Sequence, residues 1–287
     1  MSEAHRAACV IGWPAAHSRS PLIHNFWIRQ HGLQAEYRRE TVAPEEFARF
    51  LRQLPERGYV GANVTLPHKE EALARSQPDE RAQRVGAANT LWFEDGTLRS
   101  TNTDVEGFLA NLDAETPAWD QGLQTGIVLG AGGAARAIVS GLLERRVERI
   151  YVANRSLERA QALRERFGSA IKPVRWEEAN GLLAGCTLVV NTTSLGMTGQ
   201  PPLELDVTHL PASAVVADIV YVPLATGLLQ AAKAHGLRTA DGLGMLLHQA
   251  VRGFSLWFGV IPQVTPELRA VIERDLADEA IAKASTE

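Results

Sequence analysis

A short apolar run, residues 126–129, ends in Val128-Leu129-Gly130-Ala131-Gly132-Gly133-Ala134-Ala135, and this glycine-rich turn opens a helical segment. No other stretch restricts the fold as much. Gly130, Gly132 and Ala135 satisfy the spacing G-x-G-x-x-G/A. The first glycine permits a tight turn, the second lets main chain lie against a pyrophosphate, and the small third residue lets helix and strand pack closely. Gly130, Ala131, Gly132, Gly133 and Ala134 would then present amides to an anion at the positive end of a helix dipole.

A unit of this kind reads the ribose at the end of its second strand, expected here at residues 150–153. An NAD-binding chain usually has Asp or Glu at that point. This chain has Asn154-Arg155-Ser156, with Arg159 four residues beyond Arg155. Placed on one helical face, the two guanidinium groups can fork onto phosphate oxygens. The expected cofactor is therefore NADP(H) rather than NAD(H). The plainer alternative is a pair of surface arginines at a helix start, where the helix dipole opposes cations.

The rest of the chain alternates strand and helix signals. Strands are expected at residues 8–11, 35–41, 59–64, 88–94, 97–101, 126–129, 150–153, 187–191 and 215–219. Helices are expected from Ser20 to Gln30, in a segment following Pro67, and at residues 45–54, 104–113, 134–145, 156–167, 177–183 and 242–258, with a last one from Pro266 on. Asp95-Gly96 is the expected hairpin turn. Residues 283–287 are expected to fray. This is an α/β pattern of two α/β domains. An N-terminal substrate domain spans residues 1–105 and a Rossmann-like dinucleotide-binding domain spans 106–243. The C-terminal helices, 244–287, return to the first domain.

Composition sets outer limits. The 287 residues are 45% hydrophobic and 22% charged, as in an ordinary globular chain with a sizeable core. A net charge of −4 argues against a nucleic-acid partner held by bulk positive charge. No run approaches the ~18 apolar residues of a membrane span, so no membrane partner is expected. The first six residues lack the pattern of a signal peptide, and a cytoplasmic location follows as the expectation. Cys9 and Cys186 sit in apolar, strand-like surroundings and read as buried thiols. The eight histidines are scattered without ligand spacing, and no metal is expected.

Three segments of the first third hold more small polar groups than packing needs. In Gly12-Trp13-Pro14-Ala15-Ala16-His17-Ser18-Arg19-Ser20-Pro21, Ser20 is placed to cap a helix that has proline at its first position. That role leaves Ser18 unexplained, and the two hydroxyls together make a neutral carboxylate cradle. Asn63-Val64-Thr65-Leu66-Pro67-His68-Lys69 follows a strand, where open α/β sheets bind ligands. Gly86-Ala87-Ala88-Asn89-Thr90 and Thr101-Asn102-Thr103-Asp104 make the third group. Asp104 also reads as a helix cap.

Taken together, Ser18-x-Ser20-Pro21, Asn63-Val64-Thr65-x-Pro67-x-Lys69, Gly86-Ala87-x-Asn89-Thr90 and Asn102-Thr103-Asp104 resemble the shikimate dehydrogenase family. So do Gly130 to Arg136, Asn154-Arg155-Ser156 and Asp241-Gly242-Leu243-Gly244-Met245-Leu246-x-x-Gln249. The resemblance covers nearly the whole chain. Trp13, Ala88 and Val105 depart from the family's commoner residues without removing a functional group.

The resemblance implies NADPH-dependent reduction of the C3 ketone of 3-dehydroshikimate to shikimate, in aromatic amino-acid biosynthesis. Lys69 would stabilise and protonate the developing alkoxide, with Asp104 orienting the ammonium group. Ser18 and Ser20 would hold the substrate carboxylate. Asn63, Thr65, Asn89, Asp104 and Gln249 would address the ring hydroxyls and the reacting oxygen, and Tyr221 would also reach the substrate. Ile219, Gly242 and Met245 would pack near the nicotinamide, with Thr193 and Ser194 facing the cofactor. His68 reads as a structural neighbour of Lys69 rather than a proton shuttle. Two other readings stay open: a quinate/shikimate dehydrogenase using NAD, and a non-catalytic NADPH-responsive binding protein. The partner is a small molecule, and the chain acts as a monomer or homodimer.

Overall fold

The computed structural model describes residues 6–284. The start of the chain, read as free of a targeting signal, lies largely outside them, as do residues 285–287 of the stretch expected to fray. Along the chain come β1 (Arg6–Gly12), α1 (Ser20–Gln30), β2 (Ala35–Thr41), α2 (Pro44–Gln53), β3 (Tyr59–Val64) and α3 (Lys69–Ala74). There follow β4 (Gln77–Pro78), α4 (Glu80–Val85), β5 (Thr90–Glu94), β6 (Thr97–Thr101), α5 (Thr103–Glu115) and β7 (Thr125–Leu129). Next are α6 (Gly133–Glu144), β8 (Arg149–Asn154), α7 (Leu157–Phe167), β9 (Ile171–Arg175), α8 (Ala179–Leu182) and β10 (Leu188–Asn191). The chain continues through β11 (Val215–Asp218), α9 (Gly227–Ala234), β12 (Arg238–Ala240), α10 (Gly242–Phe258) and α11 (Pro266–Ala284). It divides into two compact units. One takes the described residues up to Thr103 and those from Gln249 on; the other is Asp104–His248.

The first unit holds a six-stranded sheet in the order β2-β1-β3-β5-β6-β4. β1 runs parallel to β2 and β3 at its centre, while β5 lies antiparallel to β3. From Ala7 to Gly12 every residue of β1 is buried, the signature of a parallel strand covered on both faces. Ala7, Cys9 and Ile11 pack with Phe47, Phe50 and Leu51 of α2. A second cluster is aromatic. His24 of α1 stacks on Tyr37 of β2 at 4.1 Å, and Trp27 meets Phe254 of α10 edge-on. The Trp257 indole donates to the Leu91 carbonyl (2.8 Å) through space that only glycine at position 61 leaves open, since a Cβ there would overlap the ring. Trp27 in turn donates to the Gln263 carbonyl (3.0 Å), so the C-terminal segment returns to this unit as expected. Between β5 and β6, Asp95 and Gly96 both have positive φ (50° and 75°), the two-residue turn that matches strand twist.

The second unit is a six-stranded, wholly parallel sheet in the order β12-β11-β10-β7-β8-β9. The chain starts in the middle at β7, winds out through β8 and β9, then returns to β10 beside β7 and winds the other way. That is the doubly wound nucleotide-binding order, and its direction reverses between β7 and β10. Ile127, Leu129, Val189 and Val216 of the sheet pack with Leu183, Leu228 and Leu229. Gly141 of α6 admits Val105 and Leu109 of α5.

Three local readings need correction. Ser20 is not a helix cap: Arg19 holds the cap position with helical backbone, and Ser20 is the first residue of α1. The hydroxyl that meets the Ser20 N–H is that of Ser18, at 3.3 Å, so the chain has already turned before Ser20. The helix expected at 177–183 is a single α turn, α8, between two 3-10 turns, because Gly181 and Gly185 weaken helical propagation. β4, α4, β9, α9 and β12 were not expected at all.

His24 is fully buried, and neither ring nitrogen makes a hydrogen bond of good geometry. Burial pushes its pKa down from 6.5 to about 3, opposed in part by the Asn63 side chain. The unfolded chain therefore takes up this proton near pH 6.5 while the folded chain refuses it until about pH 3. Stability present above pH 6.5 is lost as the pH falls between those values. Urea unfolding should show His24 contributing about 2 kcal/mol of the loss between pH 7 and pH 5, a contribution absent in His24→Phe. An equal pH dependence in both proteins would refute it.

Candidate functional site

In the first unit the polar groups gather where β1 and β3 end. Past β1, the Ser18 hydroxyl donates to that of Ser20 (3.2 Å), and Arg39 donates to the Ser18 carbonyl (2.7 Å). Arg19, almost fully buried, donates to the His17 carbonyl and pairs with Asp275 and Glu279 of α11. Beyond β3, the Thr65 side chain lies over Gly12, where a Cβ would come within 2.5 Å of its methyl group. His68 is buried, stacked on Phe47 at 4.3 Å, with Nε2 2.8 Å from the Val42 carbonyl. That fixes the residue before Lys69. Lys69 opens α3, half-buried, and its carbonyl accepts from the Ala88 N–H (2.9 Å).

Asn63 and Asn89 are joined in one network. The Asn63 Oδ1 accepts from the Tyr37 hydroxyl (2.6 Å), and its Nδ2 donates to the Thr90 hydroxyl (3.1 Å) and the Asn89 carbonyl (3.3 Å). The Asn89 Oδ1 accepts from the Thr103 N–H (2.8 Å), and its Nδ2 donates to Gln249 Oε1 at 3.4 Å. Burial pushes the Tyr37 hydroxyl well above its usual pKa, so it remains a donor, and the Ser20 side chain also interacts with it. Ser18, Ser20, Asn63, Asn89 and Gln249 are thus linked through hydrogen bonds, while Thr65 and Lys69 sit on the loop that leaves the same strand end. Tyr37 is the member that sequence reasoning missed, while Thr90 and Thr103 lie in the motifs read above without a role of their own. Tyr37 lies in an edge strand of mostly polar residues, which gave no signal.

The other expected residues lie in the second unit. Asp104 does not cap a helix as expected: α5 already begins at Thr103, and Asp104 is buried in its first turn, where the helix dipole favours a carboxylate. At the end of β7, Gly130 has φ +102°, and its N–H donates to the Ala153 carbonyl (2.8 Å). A Cβ on Gly130 would fall 2.8 Å from the Thr192 hydroxyl. Gly132 caps α6 with φ −90° and no side-chain bond to the first-turn amides. A methyl group added at Gly132 would find no atom within 4 Å beyond its chain neighbours, and Ala131 and Ala134 are both half-buried.

At the end of β8, Asn154 Nδ2 donates to the Ser156 carbonyl (2.8 Å) and the Ser156 hydroxyl donates to Glu158 (2.8 Å). Hydrogen bonds from its own N–H and from Ser156 hold the Glu158 carboxyl below its usual pKa. Arg155 and Arg159 are both on the outside of the fold. They do not share a helical face, contrary to expectation: α7 starts at Leu157 with Ser156 as its cap, so Arg155 lies before the helix.

Beyond β10 and β11 a second network forms. The Asn191 Oδ1 accepts from the Thr193 N–H (3.0 Å) and hydroxyl (2.7 Å), and its Nδ2 donates to Asp218 (2.9 Å). Burial raises the Asp218 pKa, offset by bonds from the Val220 N–H (3.0 Å), the Thr226 hydroxyl (2.7 Å) and Asn191. Ser194 is exposed, while Ile219, Tyr221 and Met245 are half-buried. Gly242 is buried against main chain, and a Cβ there would lie 2.2 Å from the Ile219 carbonyl oxygen. Asp241 caps α10 by accepting from the Leu243 N–H (3.0 Å). Among the described residues no cluster of His, Cys, Asp and Glu is arranged to hold a metal, and no helix is long and apolar enough to cross a membrane. Both cysteines are buried and unpaired.

Comparison with known proteins matches three family descriptions. Residues 10–91 match the shikimate dehydrogenase substrate binding domain, 119–198 match shikimate / quinate 5-dehydrogenase, and 242–271 match the shikimate 5'-dehydrogenase C-terminal domain. A protein of Rhodopseudomonas palustris (strain TIE-1) called shikimate dehydrogenase (NADP(+)) is 64% identical over 96% of this chain and 99% of its own. Among solved structures, the shikimate 5-dehydrogenase of Thermus thermophilus in complex with NADP(H) and shikimate is similar at TM-score 0.80 and 35% identity. It covers 95% of this chain and 99% of its own. The quinate dehydrogenase of Corynebacterium glutamicum in complex with NAD is similar at TM-score 0.86 and 31% identity, covering 93% and 98%.

The two turn glycines should separate by substitution. Gly130→Ala forces a side chain into positive φ and onto Thr192, and should lose about 1–3 kcal/mol in urea unfolding. Gly132→Ala meets neither obstacle and should stay within about 0.5 kcal/mol of the parent. Equal losses would show that the fold itself demands both glycines.

Proposed function

The chain belongs to the shikimate dehydrogenase family, and we propose that it interconverts 3-dehydroshikimate and shikimate by NADP-dependent hydride transfer at C3, a step of aromatic amino-acid biosynthesis. The observation that carries this reading is the end-to-end likeness to a relative named for that reaction, in a chain that keeps Lys69 and Asp104.

The second unit's residues fit the cofactor. A Cβ at Gly132 would meet only open space, the α6 amides have no side-chain cap, and Arg155 and Arg159 stand at the neighbouring strand end. Gly130, Ala131, Gly132, Gly133 and Ala134 would hold the pyrophosphate through main-chain amides. Asn154, Arg155, Ser156 and Arg159 would hold the 2′-phosphate, with guanidinium forks supplying most of the attraction. Thr193, Ser194, Ile219, Gly242 and Met245 would line the remainder. NADPH, when bound, supplies the hydride.

Ser18 and Ser20 would take the substrate carboxylate, and Asn63, Thr65, Asn89, Tyr221 and Gln249 the hydroxyls. As negative charge develops on the carbonyl oxygen, the Lys69 ammonium stabilises and then protonates it, with Asp104 as its carboxylate partner in the reaction. On this reading residues up to 105, with 244–287, form the substrate domain and 106–243 the cofactor domain. The protein is cytoplasmic and works as a monomer or homodimer. Quinate oxidation with NAD is a second reading, favoured by the likeness to the quinate dehydrogenase and opposed by the two arginines.

Absorbance at 340 nm, with shikimate or quinate and each oxidised cofactor, tests the reading. Turnover of shikimate with NADP is expected, and its absence would refute the proposal. Lys69→Ala should lower kcat by roughly two to four orders of magnitude with a smaller change in KM. A near-normal kcat would remove Lys69 from the mechanism. Arg155→Ala should raise KM for NADPH on the order of tenfold and leave KM for NADH nearly unchanged. Equal effects on both would mean that Arg155 does not read the phosphate.

A further inference from the structure

Asp218 ends β11 with 2% of its surface exposed, and nothing in the reaction uses it. Its carboxylate takes three donors. Oδ1 accepts from Asn191 Nδ2 (2.9 Å) and the Val220 N–H (3.0 Å), and Oδ2 accepts from the Thr226 hydroxyl (2.7 Å). An ionised carboxylate can only accept, so together with the Leu195 carbonyl, the other acceptor at Nδ2 (3.2 Å), it decides which way the Asn191 amide points. With Nδ2 held by Asp218, Oδ1 faces the opposite way and captures both the N–H and the hydroxyl of Thr193. The Thr193 oxygen in turn accepts from the Leu195 N–H (3.1 Å). The second arm runs through Thr226, whose hydroxyl caps α9, and through Val220, whose N–H lies between Ile219 and Tyr221. One buried carboxylate thus sets the loops after both β10 and β11.

A structural carboxylate is an expensive choice for this place. Burying it disfavours its charge, and an apolar side chain of similar size would avoid that cost. What an apolar side chain cannot do is impose donor–acceptor polarity on Asn191 and, through it, on Thr193. We propose that Asp218 is a positioning residue for the cofactor, fixing Thr193 and the Ile219–Tyr221 turn in the arrangement that binds NADPH. This rests on the reading of the second unit as the NADP-binding part.

The test is Asp218→Asn. Its amide nitrogen either faces the Asn191 and Val220 donors or faces the Thr226 hydroxyl and turns it into an acceptor, and in both arrangements the charge-assisted bonds are lost. NADPH fluorescence titration at a temperature well below unfolding should give a Kd raised on the order of tenfold, the effect of one lost charge-assisted hydrogen bond. KM for shikimate should rise by a smaller factor than the NADPH Kd, because Tyr221 alone of the proposed substrate residues lies on the affected turn. A folded Asp218→Asn protein whose Kd for NADPH matches the parent's overturns the proposal. So does a loss spread equally over NADPH and shikimate, which is what general loosening would produce. Should Asp218→Asn fail to fold, Thr226→Val removes the Oδ2 arm together with the α9 cap and leaves both Oδ1 donors in place, and its Kd should rise about threefold, the effect of one weaker hydrogen bond. An unchanged value there also overturns the proposal. A parent protein that binds no NADPH would bring down the functional reading itself. Parent binding with unaffected variants would bring down this inference alone.

Discussion

Parallel pairing of a strand buried on both faces governs the whole molecule. Along β1 and β7 no polar side chain can be placed without a cost of several kcal/mol, because neither face offers water. β1 holds Ala-Ala-Cys-Val-Ile and β7 holds Gly-Ile-Val-Leu in their buried stretches. Polar chemistry is therefore displaced to the strand ends. In the first unit it starts past Gly12 after β1 and at Asn63, the next-to-last residue of β3. In the second it starts at Gly130 after β7 and at Asn191 and Asp218, the last residues of β10 and β11. The motifs read from the sequence are the chain's first opportunity to be polar after each buried run.

Both units then meet the same difficulty, which is to hold a carboxamide in one of two orientations that differ little in shape. Asn63 is fixed by a tyrosine that donates to its oxygen and by Thr90, which accepts from its nitrogen. Asn191 is fixed from the other side, by a carboxylate that accepts from its nitrogen. In each case a buried group whose polarity is not in doubt orients an amide whose polarity is. Tyr37 serves this purpose because burial keeps its hydroxyl protonated.

What could be read from the sequence divides along physical lines. Strands buried on both faces, the Asp95-Gly96 turn, the glycine turn and the long apolar helix α10 all carry a local signal strong enough to stand alone. β9 does not: Ile-Lys-Pro-Val-Arg contains a proline that an interior strand would exclude, and it is tolerated because β9 is the sheet's edge. β12 has three residues and is defined by pairing with β11, a contact that composition cannot express. The Ser20 error has a different origin. Serine before proline is a sound capping signal, yet Ser18 already supplies the hydroxyl, and the choice between them is made by a turn from Ala15 to Ser18. The positions of Lys69, Asn89 and Asp104 came from motifs. Tyr37, which orients the Asn63 amide, did not, because a positioning residue outside the motifs is identified only by what it touches.

Arg19 shows what an adjacent charge means when its partners are known. In the sequence it is a cation between two serines expected to hold a carboxylate, and it invites assignment to the same anion. In the folded chain its guanidinium is buried and paired with both Asp275 and Glu279 of α11. A buried arginine deprived of those carboxylates would be strongly destabilising, so the pairing is held by its own energetics. Its charge is therefore already matched, and on the proposed function the substrate carboxylate would be left to the Ser18 and Ser20 hydroxyls, with Arg39 the remaining cation beside this turn. Neutral donors at a helix start hold a carboxylate through geometry rather than net charge, and they discriminate by distance where a mobile cation would accept many anions. The same pairing ties α11 to the start of α1. The last long helix of the chain thereby fixes the turn that carries Ser18 and Ser20.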